Sequence, residues 1–363
     1  MVLYTHNRNR KEIAIMQEDI RKLVTIKTID DILPIENADK IEFAVVGGWR
    51  VVVKKGEFKV GDNAVYFEID SFLPADKGHF DFLVERSSKT VKGPDGQEHK
   101  GHVLRTIRLR GVISQGLLMP VSQFFETEPT QEELNDFMEE LGVFKYEKTI
   151  YSIFHNGRKE LPSNSGIIDY FPQHIRKTDS ERIQNLSRFV REVLSETDKS
   201  KWVATEKVDG MSTTWWKDEE NKLHVASRNY EVELDGKYLE MAEKYDIENL
   251  LSANEWLQAE MAGEGIQSNP LKIDGNRLFV FNYHLNSNEK EEEIKRIMVP
   301  VYDLEMPNTV DEFIEQVNGI KSLVNPQVQA EGVVWTNTDG ETYYDLSDRH
   351  QFKAINNTYL LKH

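Results

Sequence analysis

Lys207, Asp209 and Gly210 follow a short apolar run and form the most reactive-looking combination of side chains in the sequence. If residues 202–206 form a strand, Lys207 leaves its end, Asp209 points to the same side two residues later, and Gly210 lets the backbone approach a ligand. A lysine amine is a nucleophile only after it has lost a proton, which at neutral pH needs a lowered pKa. The nearby carboxylate alone would raise that pKa. Asp209 is therefore better interpreted as a ligand of a divalent cation, whose charge helps to deprotonate Lys207 and neutralises a phosphate.

A Lys-x-Asp-Gly pattern is weak by itself, because a turn with a surface lysine has the same letters. It gains weight from chemically suitable residues that follow it in the chain. They are Ser212, Arg228 in Ser227-Arg-Asn229, Glu260 ahead of a glycine-containing turn, Phe281 in an aromatic run, Glu331 directly before Gly332, and Lys353. Each also has an ordinary structural interpretation: ion pairs for the carboxylates and the arginine, core packing for the phenyl ring, and an exposed amine for the last lysine.

The order and spacing of these motifs from residue 205 to residue 353 resemble the covalent nucleotidyltransferases, the superfamily of ATP-dependent ligases and RNA capping enzymes. The resemblance implies roles that the individual motifs do not establish. It implies catalytic roles for Lys207, Asp209, Arg228, Glu331 and Lys353, nucleotide contacts from Glu206, Lys207, Ser212, Arg228, Glu260, Phe281 and Lys353, and a metal held by Asp209 and Glu331.

The rest of the chain narrows the resemblance. DNA ligases and capping enzymes carry an OB domain after the last motif, whereas only ten residues follow Lys353 here and a β-rich region precedes the transferase motifs. With residues 171–185 and 356–362, the chain from about Arg21 is similar to the Deinococcus-type ATP-dependent RNA ligases. This similarity implies ATP and Mg²⁺ or Mn²⁺ as cofactors. It also implies joining of RNA 3′-OH and 5′-phosphate ends at nicks, through a lysyl-AMP intermediate and an adenylylated RNA 5′ end.

Two other functions remain open at this stage. One is a nick-sealing ligase with a DNA acceptor. The other is a catalytically inactive RNA-binding protein on a transferase fold. Labelling of the protein by ATP separates the inactive protein from both ligases, and the sugar at the 3′-OH separates the ligases from each other.

Composition limits the class of protein. A chain of 363 residues is long enough for two domains, and zero cysteines exclude disulfides and thiolate metal sites. No apolar run reaches membrane-spanning length, so we expect no membrane partner. We expect a cytoplasmic protein and a monomer. A net charge of −17 argues against a general polyanion-binding surface. RNA would then need a local basic patch, for which Arg105, Arg108 and Arg110 are the candidates.

The predicted fold class is α+β: an N-terminal OB-fold β-barrel followed by a nucleotidyltransferase domain with antiparallel sheets and flanking helices. Short β-prone runs separated by turn signals fill residues 21–120 and predict a small closed barrel. The predicted divisions are an extension at 1–20, an OB-fold domain at 21–125, an acidic helix and linker at 126–172, and an adenylyltransferase domain at 173–363.

Two capping-box patterns predict helix starts, Thr130 with Glu133 and Thr178 with Glu181. An apolar stripe from Ile183 to Leu194 predicts a core-facing helix after the second box. After this helix, the sequence predicts a hairpin at residues 211–227 and helices at 236–251 and 310–317. It also predicts strands at 256–261, 278–285, 332–336 and 351–355.

Overall fold

The structure is a computed structural model that describes residues 22–146, 153–155, 158–160, 166–346 and 349–362. The predicted extension at residues 1–20 and part of the predicted linker lie outside these residues. The chain divides into two compact units, one of residues 1–46 with 50–158 and one of residues 47–49 with 159–363. None of the helices in the described ranges is long and apolar enough to cross a membrane.

The described part of the first unit is built mainly of short strands with two α-helices. Its elements are β1 (Val24–Thr28), β2 (Asp31–Pro34), β3 (Ile41–Val46), β4 (Trp49–Lys54), β5 (Asn63–Phe67), β6 (Ser71–Pro74), α1 (Asp81–Val84), β7 (Lys89–Lys92), β8 (Glu98–Val103), β9 (Ile107–Leu109), β10 (Val112–Ser114), β11 (Leu117–Pro120), α2 (Gln131–Glu140) and β12 (Phe144–Lys145). The strands pair in the orders β1-β5-β11, β2-β3-β4, β12-β6-β8-β7 and β10-β9.

The prediction of a closed barrel in this unit is wrong, because its described strands do not form one continuous sheet. Among the described residues of this unit the strands form four separate small sheets, and residues 104–106, which are in no strand, separate β8 from β9. The predicted helix after Thr130 is confirmed. Thr130 Oγ1 accepts a hydrogen bond from the backbone N–H of Glu133, and the Glu133 carboxylate accepts one from the backbone N–H of Thr130.

The second unit carries two larger sheets. A short pair of strands, β13 (Ile153–His155) and β14 (Arg158–Glu160), precedes them in the chain. The elements that follow are β15 (Ile167–Tyr170), β16 (Glu181–Arg182), α3 (Ser187–Glu192), β17 (Trp202–Lys207), β18 (Met211–Lys217), β19 (Leu223–Ala226), β20 (Tyr230–Val232), α4 (Gly236–Lys244), α5 (Ile247–Leu250), β21 (Trp256–Gly263), β22 (Asn276–His284), α6 (Glu291–Lys295), β23 (Val301–Tyr302), α7 (Val310–Val317), β24 (Gly332–Asn337), β25 (Gln351–Ile355) and α8 (Asn357–Leu360).

One sheet has six strands in the order β15-β20-β19-β18-β21-β22, and the other has five in the order β16-β25-β24-β17-β23. All their neighbours are antiparallel except β16 and β25. The mixed α+β class with antiparallel sheets is therefore confirmed. Each sheet packs its own core, and the core of the five-stranded sheet includes the apolar side chains of α3 and α7.

The second predicted capping box is wrong. Residues Glu181 and Arg182 form a strand beside β25, and the Glu181 carboxylate accepts hydrogen bonds from the Arg182 backbone N–H and the Asn185 side chain. The helix starts later, at Ser187. The apolar stripe nevertheless forms core as predicted, because Ile183, Phe189 and Leu194 are buried against the five-stranded sheet.

Substituting a central core residue tests this arrangement. Phe313 on α7 is fully buried and packs edge-on against Trp335 and Phe352. We expect Phe313→Ala to lower the free energy of unfolding of the second unit by about 3–5 kcal/mol, because it leaves a cavity. Urea unfolding followed by tryptophan fluorescence measures this. Leu239→Ala, at an exposed position on α4, is the control and should change stability by about 0.5 kcal/mol or less. An equal loss of stability in both variants would contradict the placement of Phe313 in the core.

Candidate active site

Strand β17 ends at Lys207, directly opposite Gly332 at the start of β24. Glu331 precedes Gly332, so the ladder brings the amine and this carboxylate side by side although they are far apart in sequence. Lys207 Nζ donates to Glu331 Oε2 at 2.6 Å, and the two side chains are 28% and 18% exposed. A β-carbon at position 332 would lie 2.2 Å from the Ala354 carbonyl oxygen. Glycine is therefore required for β24 to approach β25 beside the ion pair.

The side chain of Glu206 faces away from Lys207, because neighbouring residues of a strand point to opposite faces. It is 1% exposed. Its carboxylate accepts hydrogen bonds from the Ser322 hydroxyl and from the backbone N–H groups of Leu323 and Val324, the latter two at 2.7 and 3.3 Å. Burial raises the pKa of Glu206 even though these bonds favour its charged form. The carboxylate thus holds residues 322–324 in place. The predicted nucleotide contact of Glu206 would therefore have to come from its backbone.

The turn after β17 lies close to β21. Asp209 Oδ2 accepts a hydrogen bond from the Tyr359 hydroxyl at 2.5 Å. A β-carbon on Gly210 would lie 2.3 Å from the Met261 carbonyl oxygen. The small residue after the carboxylate is therefore explained by the approach of this turn to the six-stranded sheet.

Glu260 lies on β21, opposite Ser212 on β18 and Phe279 on β22. Burial is the largest influence on the Glu260 carboxyl and raises its pKa to about 8. The carboxylates of Glu331 and Asp209 act in the same direction, while Lys207 and Arg228 oppose it. These interactions show that the two sheets bring Lys207, Asp209, Glu260 and Glu331 to one place.

Lys207 carries a proton in this arrangement. Burial disfavours its charge, but the neighbouring carboxylates of Glu331, Glu260 and Asp209 outweigh burial and raise the pKa of Lys207. The sequence argument that carboxylates alone work against a neutral amine thus holds. Positive charge delivered to these carboxylates would reduce their hold on the proton.

The two predicted phosphate-binding cations lie on different elements. Arg228 is in the turn between β19 and β20, and its Nη2 donates to Asp179 Oδ1 at 2.6 Å. Lys353 lies on β25 opposite Val334, which in turn lies opposite Thr205. Because directly paired residues share a face, Lys353 is on the same face of the five-stranded sheet as Lys207.

Phe281 on β22 is partly buried and packs against a small cluster formed by Val208, Ala262, Leu271, Ile273, Phe279 and Val299. Val208 is the residue between Lys207 and Asp209, so this cluster adjoins the turn that carries them. The packing and stacking interpretations of Phe281 are compatible here, because one side of a partly buried ring can remain open to a ligand. Its stacking on a purine stays a prediction.

Within the described residues, no group of three or more His, Cys, Asp or Glu side chains is placed to hold a metal ion. Asp209 and Glu331 offer two carboxylates, and each has one oxygen engaged by a protein donor. Such a donor set suits Mg²⁺ or Mn²⁺ that keeps several waters and also binds substrate phosphates.

The predicted RNA contacts Arg105, Arg108 and Arg110 belong to the first unit. All three are exposed. Arg108 is on β9 and donates to the Gly111 carbonyl oxygen at 2.9 Å, and Arg110 lies in the β9–β10 turn with a φ of 48°. Exposure is what phosphate binding requires, and their role stays a prediction.

Sequence reasoning gave no role to Tyr359, which contacts the Asp209 carboxylate, or to Asn356, which contacts the backbone of Glu331. Tyr359 is separated from its partner Asp209 by 150 positions. Asn356 is fully buried; its backbone N–H donates to the Glu331 carbonyl and its side chain to the Ala330 carbonyl. No periodicity or spacing links these residues to the Lys207 motif, so no local signal could have identified them.

Comparisons with known proteins agree with this architecture. Residues 23–121 match a family described as an OB-fold domain, and residues 200–355 match the RNA ligase family. The chain is also similar to solved structures of a Naegleria gruberi RNA ligase. An apo mutant is 33% identical over 95% of this chain and 98% of that chain, with a TM-score of 0.76. A mutant with ATP and Mn is 32% identical over 94% and 99%, with a TM-score of 0.76. The ligase with PPi is 34% identical over 95% and 99%, with a TM-score of 0.75.

The fold and the matched domains define an enzyme of the ligase class, with an OB-fold domain ahead of a nucleotidyltransferase domain. The chain belongs to the RNA ligase family. No curated protein matches it significantly. The predicted order of the two folds is confirmed, apart from closure of the barrel.

The raised pKa of Glu260 predicts a pH effect on stability. A carboxyl with a pKa of about 8 in the folded protein and 4.5 as its ordinary value binds a proton on folding. Proton binding by this carboxyl contributes fully to the free energy of unfolding below about pH 4.5, and the contribution is lost as the pH rises through about 8. The wild type should therefore lose stability relative to Glu260→Gln across this range, measured by urea unfolding at several pH values. Glu264→Gln, at an exposed position, should follow the wild type, and a constant difference for Glu260→Gln would contradict the prediction.

Proposed function

We propose that this enzyme is a Deinococcus-type RNA ligase that seals RNA 3′-OH and 5′-phosphate ends at nicks through AMP bound covalently to Lys207. The observation that carries the proposal is the Lys207 amine beside Glu331, with Glu260 and Asp209 acting on the same charge. The subtype is supported by the OB-fold domain ahead of the ligase domain. The proposed division keeps the predicted bounds, an OB-fold domain at 21–125 and an adenylyltransferase domain at 173–363.

The enzyme is an ATP-dependent ligase, and ATP with a divalent metal is its cofactor set. Naegleria RNA ligase mutants have been solved with ATP and Mn and with AMP and Mn. In this chain Asp209 and Glu331 are the residues that would hold the ion. Bound there, Mg²⁺ or Mn²⁺ would supply positive charge that offsets the carboxylates around Lys207 and the phosphates of ATP.

The first chemical step transfers AMP to the enzyme. Lys207 Nζ, after losing one proton, forms a bond to the α-phosphorus of ATP as the bond from that phosphorus to the pyrophosphate oxygen breaks. The products are lysyl-AMP and pyrophosphate. Glu331 is the nearest proton acceptor to the amine, because it already receives the Lys207 hydrogen bond at 2.6 Å. This covalent step divides one difficult condensation into easier ones.

Two further transfers complete the reaction. An oxygen of the RNA 5′-phosphate attacks the lysyl-AMP phosphorus, which frees Lys207 and joins AMP to the RNA end. The 3′-hydroxyl then attacks the RNA 5′-phosphorus, loses its proton, and releases AMP as the new phosphodiester forms. Lys353 and Arg228 are proposed to bind the phosphates and to stabilise the negative charge on their non-bridging oxygens.

The nucleotide is held by residues from both sheets. Glu260, with Ser212 opposite it on β18, is proposed to bind the ribose, and a carboxyl with a pKa of about 8 can also donate a hydrogen bond near neutral pH. Phe281 is proposed to stack on the purine, where its cluster supports one side of the ring. Arg105, Arg108 and Arg110 are proposed to bind RNA phosphates, and RNA repair in the cytoplasm by a monomer is the proposed setting.

Incubation with [α-³²P]ATP and Mg²⁺ tests the covalent step. We expect the wild type to become labelled and Lys207→Ala to show no label, because the only proposed nucleophile is removed. Lys201→Ala is the matched control, since the Lys201 side chain is 44% exposed and pairs with Asp339; it should keep the label. An unlabelled wild type would favour the inactive RNA-binding alternative. Labelled GTP in parallel tests for a capping-like activity.

The acceptor is tested with nicked duplexes that carry ribose or deoxyribose on either side of the junction, in all four combinations. We expect sealing with a ribose 3′-OH end and much slower sealing with a deoxyribose 3′-OH end, because a site that hydrogen-bonds the 2′-hydroxyl rejects the sugar that lacks it. Equal or faster sealing of the all-DNA nick would instead support the DNA-acceptor alternative.

A further inference from the structure

The C-terminal turn of the described chain contacts the carboxylate of Asp209 and the backbone carbonyl of Glu331, the two residues that are proposed to hold the metal. Tyr359 on α8 is 3% exposed, and its hydroxyl donates to Asp209 Oδ2 at 2.5 Å. A tyrosine hydroxyl is a neutral donor, so it holds one carboxylate oxygen without cancelling its charge. The other oxygen of Asp209 is then oriented for a cation or its water.

Asn356 connects the same turn to Glu331. Its Oδ1 accepts hydrogen bonds from the backbone N–H groups of Thr358 and Tyr359 at 3.0 and 3.3 Å, which caps α8. Its backbone N–H donates to the Glu331 carbonyl at 2.9 Å, and its Nδ2 donates to the Ala330 carbonyl at 3.0 Å. One buried residue therefore fixes both the backbone of Glu331 and the start of the helix that carries Tyr359.

These contacts set the position of one carboxylate relative to the other. Asp209 follows β17 and Glu331 precedes β24, so their backbones are joined by the ladder between these strands. The last torsion of an aspartate side chain is broad, and the ladder alone does not fix it. The Tyr359 hydroxyl does so, from a helix that Asn356 attaches to Glu331.

We infer that Tyr359 is a positioning residue that orients Asp209 for the divalent cation, with Asn356 keeping it in register with Glu331. The inference rests on the proposed function, because it takes Asp209 and Glu331 as metal ligands. Partners of ligating groups of this kind contribute about 10- to 100-fold to metal affinity or activity. Tyr359 touches a ligand and not the reacting atoms, so its loss should weaken metal binding more than it changes the reaction once metal is saturating.

Tyr359→Phe removes the hydroxyl and keeps the buried ring. With [α-³²P]ATP at a saturating concentration, we expect the Mn²⁺ concentration for half-maximal labelling of Lys207 to rise about 10-fold or more. Labelling at saturating Mn²⁺ and the ATP concentration for half-maximal labelling should stay close to wild type. A second measurement uses electron paramagnetic resonance to follow free Mn²⁺ during titration of the protein with α,β-methylene-ATP, and should show the same weakening without any chemical step.

Tyr343→Phe is the matched control. The Tyr343 hydroxyl also donates to a carboxylate, Glu341 Oε2 at 3.0 Å, but the ring stacks on Trp202 at the opposite end of β17 from Lys207. Its Mn²⁺ dependence should match the wild type. Both variants are assayed at a temperature where circular dichroism shows them folded, so that a general loss of stability is separated from a loss of metal affinity.

The outcomes are distinguishable. A labelled wild type with equal Mn²⁺ dependence in Tyr359→Phe would overturn the role of Tyr359 and leave the proposed function standing. An equal shift in both variants would also overturn it, since a remote hydroxyl would then have the same effect. An unlabelled wild type that binds no Mn²⁺ with the ATP analogue would overturn the proposed function and this inference together.

Discussion

The contact between Lys207 and Glu331 is the interaction around which the site is organised. It exists because β17 and β24 are adjacent and in a register that places the lysine opposite the residue after the glutamate. Behind these strands the opposite face of the sheet is packed with apolar side chains. The core therefore fixes the register, and the register fixes the amine beside its carboxylate.

Three carboxyl groups surround the single amine of Lys207. Glu260 and Asp209 join Glu331 around the Lys207 amine, and the result is a protonated lysine together with a glutamic acid whose pKa is raised to about 8. Perturbed groups of this kind cluster at functional sites. The same excess of carboxyl groups favours a cation. Asp209 and Glu331 each have one oxygen held by a protein donor, Tyr359 and Lys207 respectively.

Helices were predicted correctly where the local sequence pattern agreed with the contacts that the segment makes in the folded protein. The helix capped by Thr130 and Glu133 formed because both reciprocal bonds are local. The equivalent pattern at Thr178 and Glu181 failed because β25 recruits Glu181 and Arg182 into a sheet. The helix predicted over residues 236–251 is broken at Asp246, which adopts a φ of 49° between α4 and α5. In each failure a specific partner or backbone conformation overrode a helical pattern.

The fold class and the positions of β21, β22, β24 and β25 could be predicted from the sequence, because alternation of apolar residues and turn signals are local properties. It also identified Lys207, Asp209, Glu260 and Glu331 as candidates, through side-chain type and order along the chain. Three features could be seen only in the folded chain: Glu206 points into the protein, the first unit does not close into a barrel among its described strands, and Tyr359 reaches Asp209. The physical reason is that hydrogen bonds between distant residues depend on strand register and packing, which no short stretch of sequence encodes.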